Sequence, residues 1–402
     1  MGRDERPSAG RLSAAGAGAG MRRILVLGGG VGGIVAANEL RKRLSAPHEV
    51  MLVSREDTFV FAPSLLWLLV GTRRPEQISR PLRRLVRRGV TVTTGEIEHV
   101  DAMRREVRVA GRTLSADSIV IALGAATSSA AIPGLADSGC DLYSLAGAIA
   151  FRDRLVSLQR GRIAILTAAP AYRCPAAPYE AAMLIEAACR TRRVRANVEI
   201  DLYTAEPGPM GVAGPQVSAA VRGMVEGKGV HYWPEHQVTQ VDPAARSITF
   251  ANGTVVSYDL LGFVPPHHVP AVVSASGLCA LGSWIEVDRH TFATRFPDVF
   301  AIGDATTVPL KMGRPLPKAG VFAHLAAQVV ATNIARAITG RGAEARFSGS
   351  GECFIETGDG KAGFGKGDFY GEPLPSVAVH PPSRRWHLAK VALEYAWLRG
   401  WM

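Results

Sequence analysis

Two kinds of residue in this sequence can do chemistry: thiols, and glycines spaced to bring a backbone against phosphate. The glycines are Gly28, Gly30, Gly32 and Gly33, in the pattern Gly28-x-Gly30-x-x-Gly33. A short apolar run precedes them, and Val35, Ala36, Leu40 and Leu44 follow at helical spacing. In such a strand–turn–helix the first glycine permits the turn, and the second lets a pyrophosphate approach the backbone. The third lets the helix pack closely on the strand, and the free N–H groups of the helix then face the phosphates. The partner for the adjoining ribose belongs at the end of the next strand, about 20 residues on. That position holds Ser54, with Glu56 as the second candidate.

The five cysteines, Cys140, Cys174, Cys189, Cys279 and Cys353, are odd in number and widely spaced, unlike a secreted disulfide framework. No C-x-x-C pair offers a zinc site, and no metal is expected. Two of the thiols stand in informative surroundings. Cys174 lies in the segment Thr-Ala-Ala-Pro-Ala-Tyr-Arg-Cys-Pro over 167–175, just before a helix expected over 179–189. The helix start and Arg173 both favour a thiolate there. Cys353 falls in a strand–turn–strand pattern over 352–364, on a rigid element.

The elements around these residues fall into a repeated layout. Apolar runs at 23–27, 49–54 and 116–124 read as buried parallel strands, with small alternating strands over 90–109 between the last two. The third run ends at Gly124. Residues 162–260 repeat the scheme: strands over 162–166 and 198–203, the helix between them, and a hairpin at Asn252-Gly253. A further strand over 296–302 ends in Gly303-Asp304-Ala305, and Lys318 precedes a helix over 321–339. This order is that of a flavoprotein with two dinucleotide-binding domains. Asp304 there can hydrogen-bond a ribityl chain, and Lys318 can reach the flavin ring.

The expected fold is therefore α/β, with two Rossmann-like dinucleotide-binding domains, the second inserted in the first, plus a C-terminal α/β region with an amphipathic helix. The boundaries read as a disordered extension over 1–20 and a first FAD-binding part over 21–150. A second Rossmann-like domain then spans 151–280, the rest of the FAD-binding domain 281–340, and the C-terminal domain 341–402. An alternative start at Met21 fits this division. The second domain lacks every glycine where a nicotinamide dinucleotide needs them, at 167–175.

Length and a hydrophobic content of 47% allow a large core. A formal charge of +11 invites anionic partners; no nucleic-acid motif accompanies it, so nucleic acid is excluded as a partner. There is no secretory signal and no run of 18 apolar residues, so no transmembrane helix is expected. The apolar run over 59–71, beside an arginine-rich segment over 73–88, reads first as a core helix and otherwise as a flavin-edge or membrane-facing segment; a C-terminal helix with Leu388, Val391, Ala392, Tyr395 and Leu398 on one face suits a membrane surface or packing on its own domain or a partner subunit.

Several of these segments resemble the sulfide:quinone oxidoreductases. Cys174-Pro175-Ala176-Ala177-Pro178-Tyr179-Glu180 is similar to that family's first cysteine segment, and Glu352-Cys353-Phe354 with Gly358-Asp359 to its second. Lys318-Ala319-Gly320, the run 387–394 and Ser54 match as well. The resemblance implies non-covalent FAD, since residues 59–64 lack the cysteine by which a related branch attaches its flavin. It implies that sulfide attacks a disulfide or sulfur-bridged Cys174–Cys353 pair, leaving a persulfide on Cys174. Cys353 then passes two electrons to the flavin, and a membrane quinone takes them up. It places the chain peripherally on the cell membrane and otherwise in the cytoplasm, with a homo-oligomer allowed. A third cysteine common in the family is replaced here by Ser144, with Cys140 nearby, and the family's longer C-terminal tail is not in this sequence. A type II NADH:quinone oxidoreductase and a redox-inactive FAD-binding interaction protein are the alternatives.

The glycine-free loop over 167–175 generates a direct test. Micromolar NADH or NADPH should bleach the bound flavin far more slowly than sulfide in anaerobic stopped flow. Comparable rates would overturn the reading of that loop.

Overall fold

A computed structural model describes residues 20–402; most of the expected N-terminal extension lies outside the described residues. The first sheet has five parallel strands in the spatial order Val299–Ala301, Ser118–Ile121, Arg23–Leu27, Glu49–Ser54 and Thr91–Thr94. Arg23 stands opposite Glu49 and Leu27 opposite Val53. Ile24, Leu25, Val26 and Leu27 have no exposed surface. Burial on both faces is what a continuous apolar run in a parallel strand requires. Helix α1 (Val31–Arg43) follows the first strand and covers one face.

The second sheet repeats this arrangement. Its parallel order is Cys140–Asp141, Leu260–Val264, Gly161–Thr167, Val198–Thr204 and His231–Trp233. Helix α2 (Ala177–Thr191) follows its central strand. The edge strand at Cys140–Asp141 lies ahead of residue 151, so the second sheet begins within the stretch assigned from sequence to the first domain. Because Val299–Ala301 closes the first sheet, the second is inserted into it in the chain. The Asn252-Gly253 hairpin forms between Ser247–Phe250 and Val255–Ser257.

Helix α3 (Gly320–Thr339) is long and apolar enough to cross a membrane by length and composition. Phe322, Ala326, Val330 and Ile334 are nevertheless buried in the core it shares with α1, so it is a core helix. After it comes an antiparallel sheet of Ser350–Gly358, Lys361–Asp368 and Ser376–Ser383, then helix α4 (Arg384–Gly400).

Of the readings open for the apolar run over 59–71, the core one holds and the membrane-facing one does not: Phe59, Phe61, Leu66 and Trp67 are buried, and Trp397 of α4 packs on the two phenylalanines at ring separations of 4.7 and 5.3 Å. Helix α4 is also turned relative to its expected face. Lys390, Glu394, Trp397 and Leu398 are buried, while Leu388 and Tyr395 are exposed. The reason is pairing. Glu394 accepts from Ser64 Oγ at 2.5 Å and from Arg73 at 2.8 Å, which satisfies its charge inside.

Gly33 packs so closely that a Cβ there would stand 1.9 Å from the Gly28 carbonyl oxygen. Gly33→Ala should destabilise by about 1–3 kcal/mol through overpacking, read as a lower midpoint in thermal unfolding. Gly223, on the helix Pro215–Glu226 with open space around it, gives the contrast. Gly223→Ala should stabilise by up to about 1 kcal/mol.

Candidate active site

The carboxyl ends of both sheets and α4 enclose a cavity of about 980 Å³, at the upper end of the usual ligand-pocket range. Gly28, Gly30, Gly32, Ser54, Gly124, Gly303, Asp304, Cys174 and Cys353 all line it. Gly33 lies beneath, holding α1 against the strand. A Cβ on Gly28 would meet the Ala122 carbonyl oxygen at 2.3 Å, whereas one on Gly30 would enter open space. Helix α1 begins without a side-chain cap or an acid in its first turn, and the same holds for α3, whose N-terminal residues Gly320 and Val321 also line the cavity. Two uncapped helix starts therefore face one space. Ser54 is buried at the strand end, and Glu56 lines the cavity rim with its side chain largely exposed.

Asp304 Oδ1 is enclosed and has no hydrogen-bond partner. Burial pushes its carboxyl pKa up, with Lys318 and Arg173 opposing. An enclosed acceptor without a donor calls for one from a ligand, and a ribityl hydroxyl is such a donor. The open backbone at Gly30 and the orphaned Asp304 oxygen thus fit a flavin dinucleotide.

Lys318 departs from expectation. Its ammonium does not line this cavity; it donates to the carbonyl oxygens of Asp304 (2.8 Å) and Thr306 (3.0 Å) and stands 3.4 Å from the centre of the Trp284 ring. Burial lowers its pKa to about 8. Its own carbonyl accepts the Cys174 amide at 2.6 Å, tying the cysteine loop to the segment before α3.

That loop is held in an uncommon shape. Ala171 and Cys174 have φ of 65° and 51°, the left-handed region that non-glycine residues seldom occupy. Tyr143 Oη donates to the Cys174 carbonyl at 3.1 Å, and Arg173 donates to the Tyr143 carbonyl at 2.6 Å. The thiolate expected at Cys174 is not favoured. Burial, then Glu180, push its pKa up to about 12, and the positive charge acting on it is that of Lys390. Arg173 is spent on Tyr143. Burial and the neighbouring Cys174 likewise raise Cys353.

Both cysteines are free thiols, and both also line a second, mostly apolar cavity of about 400 Å³. Within the described residues, they are the thiols that border either cavity. Cys140 is buried in the second sheet, and Ser144 caps the helix Leu145–Ser157. Lys318 borders the second cavity, not the first.

Sequence reasoning gave no role to the polar group beside the thiols. Lys390 Nζ lies 2.5 Å from Glu180 Oε2, both nearly fully buried and lining the large cavity. Glu180 Oε2 also accepts the Glu356 amide at 2.9 Å, and the Glu356 carboxylate meets His387 Nδ1 at 3.0 Å. Burial would depress the Lys390 ammonium; Glu180 and Glu356 outweigh it and hold its pKa above the ordinary value. The signal was present as His387, Lys390 and Glu394 at helical spacing, a charged stripe on what is the buried side of α4.

A model of the pyridine nucleotide-disulphide oxidoreductases matches residues 22–328, which includes both parallel sheets. The chain belongs to that family. It is an oxidoreductase, and family membership implies a flavin cofactor. Among its relatives is the mitochondrial sulfide:quinone oxidoreductase of Mus musculus, 26% identical over 71% of this chain and 66% of that protein. Another is the sulfide-quinone reductase of Aquifex aeolicus, 26% identical over 93% of this chain and 89% of that one. The X-ray structure of the Aquifex aeolicus sulfide:quinone oxidoreductase superposes with a TM-score of 0.84 at 24% identity, covering 94% and 90% of the two chains. The resemblance read from the cysteine segments is thereby borne out.

The raised thiol gives a pH test. Below its pKa a thiol is protonated, and only the thiolate alkylates. Iodoacetamide labelling of Cys174 in the reduced protein, followed by peptide mass analysis, should keep accelerating from about pH 8 to about pH 10. A plateau below the ordinary thiol value of 9.0 would show an activated cysteine instead.

Proposed function

We propose that this oxidoreductase is a sulfide:quinone oxidoreductase that binds FAD non-covalently, uses Cys174 and Cys353 as its redox pair, and works peripherally on the cell membrane. One observation carries the reading. Two thiols 179 residues apart in the chain border the same cavity as the glycine cradle and the unpartnered Asp304. The absence of a third thiol from that cavity among the described residues supports a non-covalent flavin and a two-cysteine relay.

The chain's own residues divide the work. Gly28, Gly30, Gly32 and the α1 start receive the pyrophosphate, Ser54 the ribose, and Asp304 a ribityl hydroxyl; Gly124 and Gly303 leave room beside them. With the pair oxidised to a disulfide, hydrosulfide attacks the Cys174 sulfur. A new S–S bond forms there, the Cys174–Cys353 bond breaks, and its electron pair leaves on Cys353. Cys174 then carries a persulfide that keeps the proton of hydrosulfide. A bound flavin supplies the two-electron carrier between that thiolate and the quinone. Lys390 steadies the thiolate, since its charge opposes the burial that otherwise disfavours ionised sulfur at both positions. The loop at 167–175 speaks against NADH as the donor, because prolines and side chains occupy the place of a phosphate-binding backbone.

Sulfide added anaerobically to the purified yellow protein should bleach its visible flavin absorption rapidly; bleaching by NADH alone would overturn the proposal. Cys353→Ser and Cys174→Ser should each abolish sulfide-driven turnover while retaining FAD. Acid precipitation should release the flavin to the supernatant.

A further inference from the structure

Reducing a quinone takes protons as well as electrons, so the quinone reading calls for a proton source in the large cavity. Several of the ionisable groups there are already committed. Lys390 is held by Glu180, and Arg173 donates to the Tyr143 carbonyl. His324 is not committed. It lines the large cavity with Val321 and Leu325 from the first turns of α3. Neither of its ring nitrogens has a hydrogen bond or ion pair among the described residues.

A ring contact holds this imidazole. Its plane stands at 89° to the Trp401 ring, with centroids 5.0 Å apart. Trp401 is fixed in turn: its carbonyl accepts from Asn38 Nδ2 at 3.0 Å, and the Lys42 ammonium lies 4.7 Å from the ring centre. An edge-to-face contact places the imidazole and leaves its nitrogen atoms to a ligand. Phe61, Leu393, Trp397 and Trp401 line the same cavity, with Trp397 packed on Phe61. Apolar walls with one free polar group suit a flat, apolar molecule that carries few polar atoms, and a quinone is one.

The charged groups that act on His324 are Glu39 and Lys42 of α1, whereas Glu180 and Lys390 act on both thiols. The side chain that α4 sets against the imidazole, Trp401, carries no charge. Burial pushes the His324 pKa below its ordinary 6.5, with Glu39 opposing and Lys42 adding to the fall.

We propose that His324 donates a hydrogen bond to one carbonyl oxygen of the quinone and gives that oxygen a proton as the quinone is reduced. The proposal rests on the quinone reading and assigns it a residue. The electron pair and one proton come with the reduced flavin. The second proton comes from the imidazolium: an O–H bond forms on the quinol as an N–H bond of His324 breaks, and the neutral imidazole regains a proton from solvent. A group that must be charged, with a pKa under 6.5, works best in acid, so the step should slow as pH rises through that pKa.

The test starts from holoprotein whose flavin has been reduced by light with EDTA, so it does not call on the sulfide chemistry. In anaerobic stopped flow, ubiquinone-1 should restore the visible flavin absorption, faster at about pH 5.5 than at about pH 8. His324→Gln should slow this step by about 100-fold and remove its pH dependence. His324→Ala should be slow as well and be accelerated by added imidazole, which a merely structural role would not produce. In the oxidised holoprotein, with no electron donor, the His324 ring resonance is assigned by its loss in H324Q; it should shift as ubiquinone-1 is added. Variants with the parent's rate and pH profile would overturn the proposal, as would an unmoved resonance. Loss of FAD from H324Q would overturn it too, by assigning the ring to the flavin. A parent that ubiquinone-1 does not reoxidise would sink the quinone reading itself. A parent that is reoxidised, beside variants that match it, sinks the role of His324 alone.

Discussion

One carboxylate holds the site together. Glu180 lies six residues after Cys174 on α2, accepts the amide of Glu356 three residues after Cys353, and pairs with Lys390 of α4. Three segments far apart in the chain are fixed to one another at this atom. Buried ionic groups are tolerated only when their hydrogen bonds are complete, and removing one partner leaves an uncompensated charge. Glu180 thus ties the helix that follows the Cys174 loop to the strand that carries Cys353. The same contact explains the orientation of α4, since Lys390 must point inward to reach it.

The inner strands Arg23–Leu27, Glu49–Ser54, Ser118–Ile121 and Gly161–Thr167 were plain in the sequence because they are buried and read as apolar runs, whereas the edge strands Thr91–Thr94, Cys140–Asp141 and His231–Trp233 are short and carry no such run. The glycine loop was plain because its spacing reports close backbone approach, which the Gly28 and Gly33 contacts display. The orientation of α4 was not. Its apolar residues could be drawn as a face, but the face that faces inward is the one whose charges find partners, and those partners, Ser64, Arg73 and Glu180, lie hundreds of residues away. The run over 59–71 stayed open between core and surface for the related reason that composition does not say whether another element covers it; Trp397 does. Lys318 was placed by sequence at the right turn, yet its ammonium found nearer acceptors in two carbonyl groups. The thiolate expected at Cys174 failed because a helix start is a local feature, whereas desolvation depends on the whole surrounding fold.

The two sheets share the order of four strands, with an edge strand that comes last in the chain in the first and first in the chain in the second, and they differ at the loop after the central strand. In the first, glycines leave the backbone bare. In the second, Ala171 and Cys174 hold left-handed conformations that would ordinarily fall to glycine, and the tie from the Cys174 amide to Lys318 keeps them there.

The thiol pair stands in the partition between two cavities, one of about 980 Å³ and the other of about 400 Å³. On the reading proposed for the large one, a small sulfur species arriving by the smaller chamber meets the same pair of sulfur atoms from behind. Traffic in sulfur and traffic in a bulky oily acceptor then use separate doors. On that reading, neither would have to vacate before the other enters.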